Sequence, residues 1–216
     1  MRRTIRDSPS GSTRSGRTGR QRGRADSVLA RLRPEEGANV LRSLLERHPK
    51  LVSEAEEIAT AAVTNVDPDA VAEDIERVVL DLDIEELNAR AGRKSWGYVE
   101  PTEAAWEILE EAVEPYFEEM KRQIALGFEA AAEATCAGIV LGLYRCLGKS
   151  SDQLLGWAED FPAEAAANAV TTLTRESKAK HKRCWRLPDS IVAQVPEWAG
   201  LIGRASKRAS PASGGR

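Results

Sequence analysis

Six glutamates, Glu103, Glu107, Glu110, Glu111, Glu114 and Glu118, form the densest set of chemically competent side chains in this 216-residue sequence. Carboxylates at helical spacing serve as metal ligands or as an acid/base pair when they converge on one site. The di-iron carboxylate arrangement also needs a Glu-x-x-His motif on each of two facing helices, and the sequence contains none. The six lie off the apolar positions Trp106, Leu109 and Val113, so their spacing predicts a solvated helix face. Asp81-Leu-Asp83-Ile-Glu85 begins like a calcium loop. Its sixth position is Glu86, where the loop requires glycine, and its twelfth is Gly92, where it requires a bidentate glutamate. His181 and Cys184, three apart amid five cations, make a poor metal site, and His48 precedes Pro49 where a helix ends and a cation suits the dipole. Cys136, Cys146 and Cys184 share no CxxC spacing, as expected for reduced thiols in a cytoplasmic compartment. There is no Gly-x-Gly-x-x-Gly, no P-loop and no motif pairing a nucleophile with a base. The expectation is therefore a non-enzymatic chain with no catalytic residue, no metal and no cofactor.

Two features carry binding chemistry instead. The segment 93–101, Arg-Lys-Ser-Trp-Gly-Tyr-Val-Glu-Pro, lacks helical period, and five of the eleven aromatics fall within 96–117. Exposed, Arg93, Lys94, Trp96, Tyr98 and Trp106 would form a protein-binding hot spot, since Trp, Tyr and Arg supply large rigid contacts. Alternatively, Trp96 and Tyr98 close over the core at a helix junction. The second feature is a set of cations near the two ends, Arg14, Arg17, Arg20, Arg22 and Arg24 with Lys180, Lys182 and Arg183. Such residues bind phosphate polyanions by counterion release without a fold of their own, although a solubilising terminal extension would have the same composition.

The charge layout gives these features their context. Residues 1–26 carry eight arginines against Asp7 and Asp26, a balance of +6; residues 27–175 sum to −15, and residues 176–216 return to +6. A total of −3 is thus a cancellation between an acidic body and basic ends. Residues 1–33, rich in Arg, Ser and Gly, offer almost nothing to bury and are expected to be disordered. Arg2-Arg3 has no apolar run behind it, so a secretory signal is unsupported, while an organelle transit peptide would share this composition. The longest nearly apolar run, 134–144, is shorter than the roughly 20 residues a membrane-spanning helix needs.

Between residues 34 and 203 the hydrophobic pattern has helical period. Pro34 opens a helix carrying Val40, Leu41, Leu44 and Leu45, and a second follows from Leu51 to about Val63. Asp67-Pro68 is a cap followed by a first-turn proline, with Val71, Ile75, Val78, Val79 and Leu82 behind it. A short helix from Ile84 stops at Gly92. Thr102 is expected to cap a long acidic helix with an apolar stripe from Trp106 to Ile124, kinked or divided at Pro115. Residues 128–147 form the most apolar helix, where Gly138 and Gly142 would admit a close neighbour. A brief helix at 152–159, another to about Glu176 and an amphipathic segment within 187–203 complete the set. These elements predict an all-α array or bundle of about seven to eight antiparallel helices: a basic tail over 1–33, an acidic helical domain over 34–176, and a basic C-terminal extension over 177–216.

The stretch from Asp83 to Pro115, with Gly138-Ile-Val-Leu-Gly-Leu-Tyr144 and Leu155-Gly-Trp-Ala-Glu-Asp-Phe-Pro162, resembles a family of uncharacterised prokaryotic all-helical proteins over residues 38–175. Similar helical regions accompany SWIM-type zinc-finger segments. The SWIM pattern, Cys-x-Cys with a distant Cys-x-His, is missing from this sequence. The resemblance therefore implies a helical half whose partner is a separate SWIM-type zinc-finger protein, and it transfers no functional residue. The leading expectation is an interaction or adaptor module for a protein partner. The alternative is a nucleic-acid-associated regulator acting through the Arg-rich tails.

Overall fold

The structure, a computed structural model, describes residues 28–95, 97–149, 154–181 and 187–208, with the backbone alone for Lys180, His181 and Arg208. The protein is all-helical, with nine α-helices among the described residues, eight of them seven residues or longer. Its residues divide into two compact units between Glu57 and Ile58.

The first unit begins with a 3-10 turn, Val28–Arg31, and continues into α1, Pro34–Arg47. Pro34 occupies the first helical position, where its missing N–H is no loss, and the Arg33 backbone N–H donates to Glu36 Oε2 at 2.9 Å. A 3-10 turn at Pro49–Leu51 leads into α2, Val52–Thr64, which continues past the division. Neither α1 nor α2 buries a single residue.

The second unit holds the core. Asp67 caps α3, Pro68–Leu80, by accepting the Asp69 N–H at 3.1 Å, and Asp83 caps α4, Ile84–Arg90, by accepting from Glu85 at 2.9 Å. At Gly92 the backbone takes φ +88°, a left-handed turn that favours glycine. Two short strands follow, β1, Gly92–Lys94, and β2, Gly97–Val99, antiparallel with Arg93 opposite Tyr98. This hairpin escaped the periodicity because three-residue strands cannot display an alternation.

The long helix α5, Pro101–Leu126, begins one step earlier than expected: Glu100 is the N-cap, and Thr102 already lies inside the helix. It runs unbroken through Pro115, which sits on the exposed side. Gly127, at φ +85°, turns the chain into α6, Glu129–Arg145, which packs against α3, α5 and α7, Phe161–His181. A 3-10 turn, Leu154–Trp157, precedes α7, which continues beyond Glu176 to His181. The remaining elements are α8, Asp189–Val192, a 3-10 turn at Pro196–Trp198, and α9, Ala199–Arg208. Helix α9 packs on α7, and Val195, Trp198 and Ile202 join the core. Residues 187–208 therefore belong to the folded body.

The apolar stripe read along α5 is the observed core face, with Leu109, Val113, Phe117, Met120 and Ile124 buried. At the α5–α6 turn the buried Gln123 accepts the Thr135 hydroxyl at 2.8 Å and donates to Glu119 at 3.1 Å, so this interior amide is satisfied at both ends. On α6, Tyr144 meets Trp198 edge to face with ring centroids 5.1 Å apart. The Tyr144 hydroxyl also donates to Glu197, fastening the C-terminal turn to the central helix. No helix among the described residues is long and apolar enough to cross a membrane.

Candidate functional site

In the second unit a cleft of about 800 Å³ lies between α5, α7 and α9. Its floor is apolar, made by Val113 and Phe117 of α5, Phe161 and Ala165 of α7, and Ala205 of α9. Trp106 closes one end. Its ring meets Phe161 edge to face at 5.2 Å and 81°, and its indole N–H donates to Glu110 Oε1 at 3.1 Å. Trp106, Glu110, Val113 and Phe117 fall four, three and four residues apart, which places them along one face of α5.

The rim is charged. Glu110, Glu111, Glu114 and Glu164 face a single cation, Arg204, with Asn168 and Thr171 supplying neutral hydrogen-bonding groups. Arg90, at the end of α4, holds Glu111 through two parallel bonds of 2.7 Å and reaches Glu86 at 2.6 Å. The guanidinium holds the Glu111 carboxyl below its ordinary range. Lys121 lies 3.4 Å from Glu114, nearer to Glu118 at 2.7 Å. Among the described residues no ion pair engages Glu110, Glu164 or Arg204. The cleft therefore presents net negative potential over an apolar floor.

The residues singled out from sequence divide between this cleft and the hairpin. Trp106 lines the cleft, half-buried. Tyr98 stands 62% exposed on β2 rather than closing over the core, and Arg93 is exposed on the strand opposite. The Lys94 ammonium donates back to the Ala89 carbonyl, so it is tied to the end of α4. Trp96 lies outside the described residues, as do Arg14, Arg17, Arg20, Arg22, Arg24, Lys182, Arg183 and Cys184; Lys180 is placed by its backbone in the last turn of α7. All six glutamates of the acidic stripe are exposed, as their spacing predicts, and three of them form part of the rim.

Glu164, Asn168 and Arg204 were not distinguishable from sequence. The one local signal was the alanine-rich start of α7, Ala163 to Ala169, small residues that leave room beside a larger helix.

Among the described residues no group of three His, Cys, Asp or Glu could hold a metal ion. Cys136 is fully buried and its thiol is pushed far above its ordinary range by desolvation; burial pushes Cys146 up to about 12, and its Sγ lies 3.3 Å from the Gly142 carbonyl. Thiols of this kind are inert, because only the thiolate attacks. Cys136 and Cys146 are accordingly expected to stay unlabelled by iodoacetamide in the native protein at pH 8 and to react once urea unfolds it, as peptide mass mapping would show. Labelling of either in the native state would place it nearer the surface than the structure does.

Tyr116 on α5 donates to Asp74 on α3 at 2.5 Å, and Asp74 also holds Arg77. These bonds lower the Asp74 pKa. Burial and the neighbouring carboxylate raise that of Tyr116. Both groups brace the helices behind the cleft and are absent from its lining. No family model, no curated protein and no solved structure matches this chain.

Proposed function

We propose that this chain is a non-enzymatic interaction module whose α5–α7–α9 cleft receives a basic amphipathic helix from a protein partner. One observation carries the reading: an apolar floor bounded by four glutamates and a single arginine. Helix-in-groove recognition requires an apolar trough for anchors at i, i+3/i+4 and i+7, with a charged rim to set orientation. From Trp106 to Phe117 the trough runs along roughly 16 Å of helix, long enough for three such anchors. The edge of the half-buried Trp106 suits a Leu or Phe anchor, and Glu110 and Glu164, which enter no ion pair among the described residues, suit Lys or Arg on the flanks of the incoming helix. A SWIM-type zinc-finger protein, put forward by the sequence resemblance, would meet this requirement if it offered such a helix.

A fluorescein-labelled Leu/Lys amphipathic helical peptide, titrated with the full chain and followed by anisotropy, tests the reading. Saturable binding that weakens steeply as salt rises past about 0.1 M is expected, since rim charges are screened beyond a Debye length. Absence of binding at low salt, or binding indifferent to salt, would refute it.

A further inference from the structure

The two walls of the α5–α7–α9 trough carry opposite charge. Every residue that lines it comes from the second unit, and α5 and α9 each pack on α7, so α7 is the base and the other two are the walls. On the α5 wall stand Glu110, Glu111 and Glu114, and no cation occurs between Trp106 and Phe117. Arg90 and Lys121, which pair with Glu111 and Glu114, are absent from the lining. Helix α9 is the reverse. It contains no Asp or Glu, and its exposed Arg204 and Lys207, three residues apart, are neighbours on the helix surface. Arg204 lies back along its own helix: a Cβ added at Gly200, one turn earlier, would come 3.7 Å from its Nη1. It pairs with none of the glutamates that share its cleft, and among the described residues neither it nor Lys207 enters an ion pair.

Walls of opposite sign leave two sets of charges for an occupant to match. We propose that the trough reads the two flanks of its partner helix separately, taking cations on the flank that faces α5 and carboxylates on the flank that faces α9. The inference rests on the helix-in-groove reading above and narrows the partner it describes. That partner is an amphipathic helix whose apolar stripe has Lys or Arg along one edge and Asp or Glu along the other. A carboxylate opposite Arg204 accepts two parallel bonds from the guanidinium, whereas a Lys there is repelled by it. The arrangement also fixes direction. Turning a helix end for end on its apolar stripe exchanges its flanks, so a given helix satisfies both walls in one direction only.

Three fluorescein-labelled peptides of matched helicity and identical leucine stripe test this on the full chain. The salt is held at about 0.15 M, where general attraction to the acidic body is screened beyond about 8 Å. One peptide carries Lys on both flanks, one has Lys on one flank and Glu on the other, and one has those same Lys and Glu residues mixed over both. The segregated peptide is expected to bind roughly fivefold or more tighter than either of the others. Arg204→Glu with Lys207→Glu, both exposed positions, should reverse the order and make the all-Lys peptide the tightest binder. A spin label on the peptide N-terminus should broaden the Trp106 indole signal for the segregated peptide or for its flank-exchanged counterpart, not for both. Absence of binding by all three peptides would overturn the helix-in-groove reading, and this one with it. Binding of the all-Lys peptide with no advantage for the segregated one, equal binding of mixed and segregated peptides, or an order unchanged by the double substitution would overturn the polarised walls alone. Broadening by both labelled peptides, or by neither, would overturn the single direction.

Discussion

Gly138→Ala and Gly142→Ala are each expected to destabilise the protein by about 2 kcal/mol, although both place a better helix former in the middle of α6. A Cβ on Gly138 would stand 2.5 Å from Val71 Cβ and 2.8 Å from the Pro68 carbonyl oxygen. On Gly142 it would stand 2.8 Å from the Ala72 carbonyl oxygen and 2.8 Å from Ile75 Cβ. Each obstacle is backbone or the stiff base of a β-branched side chain, so relief requires α3 and α6 to move apart. Overpacking of this kind costs about 1–3 kcal/mol and sometimes more, against a propensity gain of up to about 1 kcal/mol. Urea midpoints should fall by roughly 1 M for each variant. Gly203→Ala in α9 supplies the contrast: nothing lies within 4 Å of its added Cβ, and it should stabilise by up to about 1 kcal/mol. Stabilisation by all three substitutions would mean that α3 and α6 cross with more room than the structure shows.

The second large effect concerns the cleft. Glu110→Lys combined with Glu164→Lys is expected to lower the affinity for the Leu/Lys peptide by roughly thirty-fold. Two like charges at a rim, at about 1 kcal/mol each, reach that magnitude. Both glutamates are exposed and outside the core, so the thermal midpoint should barely move. Asn168→Trp should be as damaging by a different route, filling the trough from an exposed position of α7. The charge reversal should act mainly on the association rate and at low salt, whereas the tryptophan should weaken binding equally at all salt concentrations. Equal affinities for wild type and both variants would remove the cleft from the binding account.

The sequence made much of this helix inventory legible because capping and periodicity are local. Asp67-Pro68 announces α3 from two residues, and the spacing of Leu109, Val113, Phe117, Met120 and Ile124 identifies the buried face of α5 whatever packs against it. The hairpin was too short to leave a pattern. Gly138 and Gly142 announced a close neighbour without naming it, since Val71 and Ile75 lie more than sixty residues earlier in the chain. The cleft was least legible of all. Its walls come from residues 106–117, 161–171 and 201–205, and its rim glutamates look from sequence like any solvated helix face. Only juxtaposition distinguishes Glu110 from Glu103, and juxtaposition is a property of the tertiary fold. Trp106 was singled out for its bulk and rigidity, and its place in the lining of the trough, edge to face with Phe161, is set by a helix more than fifty residues further along the chain.

The central claim is that the trough between α5, α7 and α9 is the binding surface. It is most directly tested by titrating unlabelled Leu/Lys peptide into ¹⁵N-labelled full-length protein and mapping the shifts. The Trp106 indole N–H, the Asn168 side-chain amide and the backbone amides of Thr171 and Ala205 should move together with one affinity, while the amides of α3 stay still. Shifts centred on the β1–β2 hairpin, or scattered over the acidic surface without a common affinity, would contradict the account.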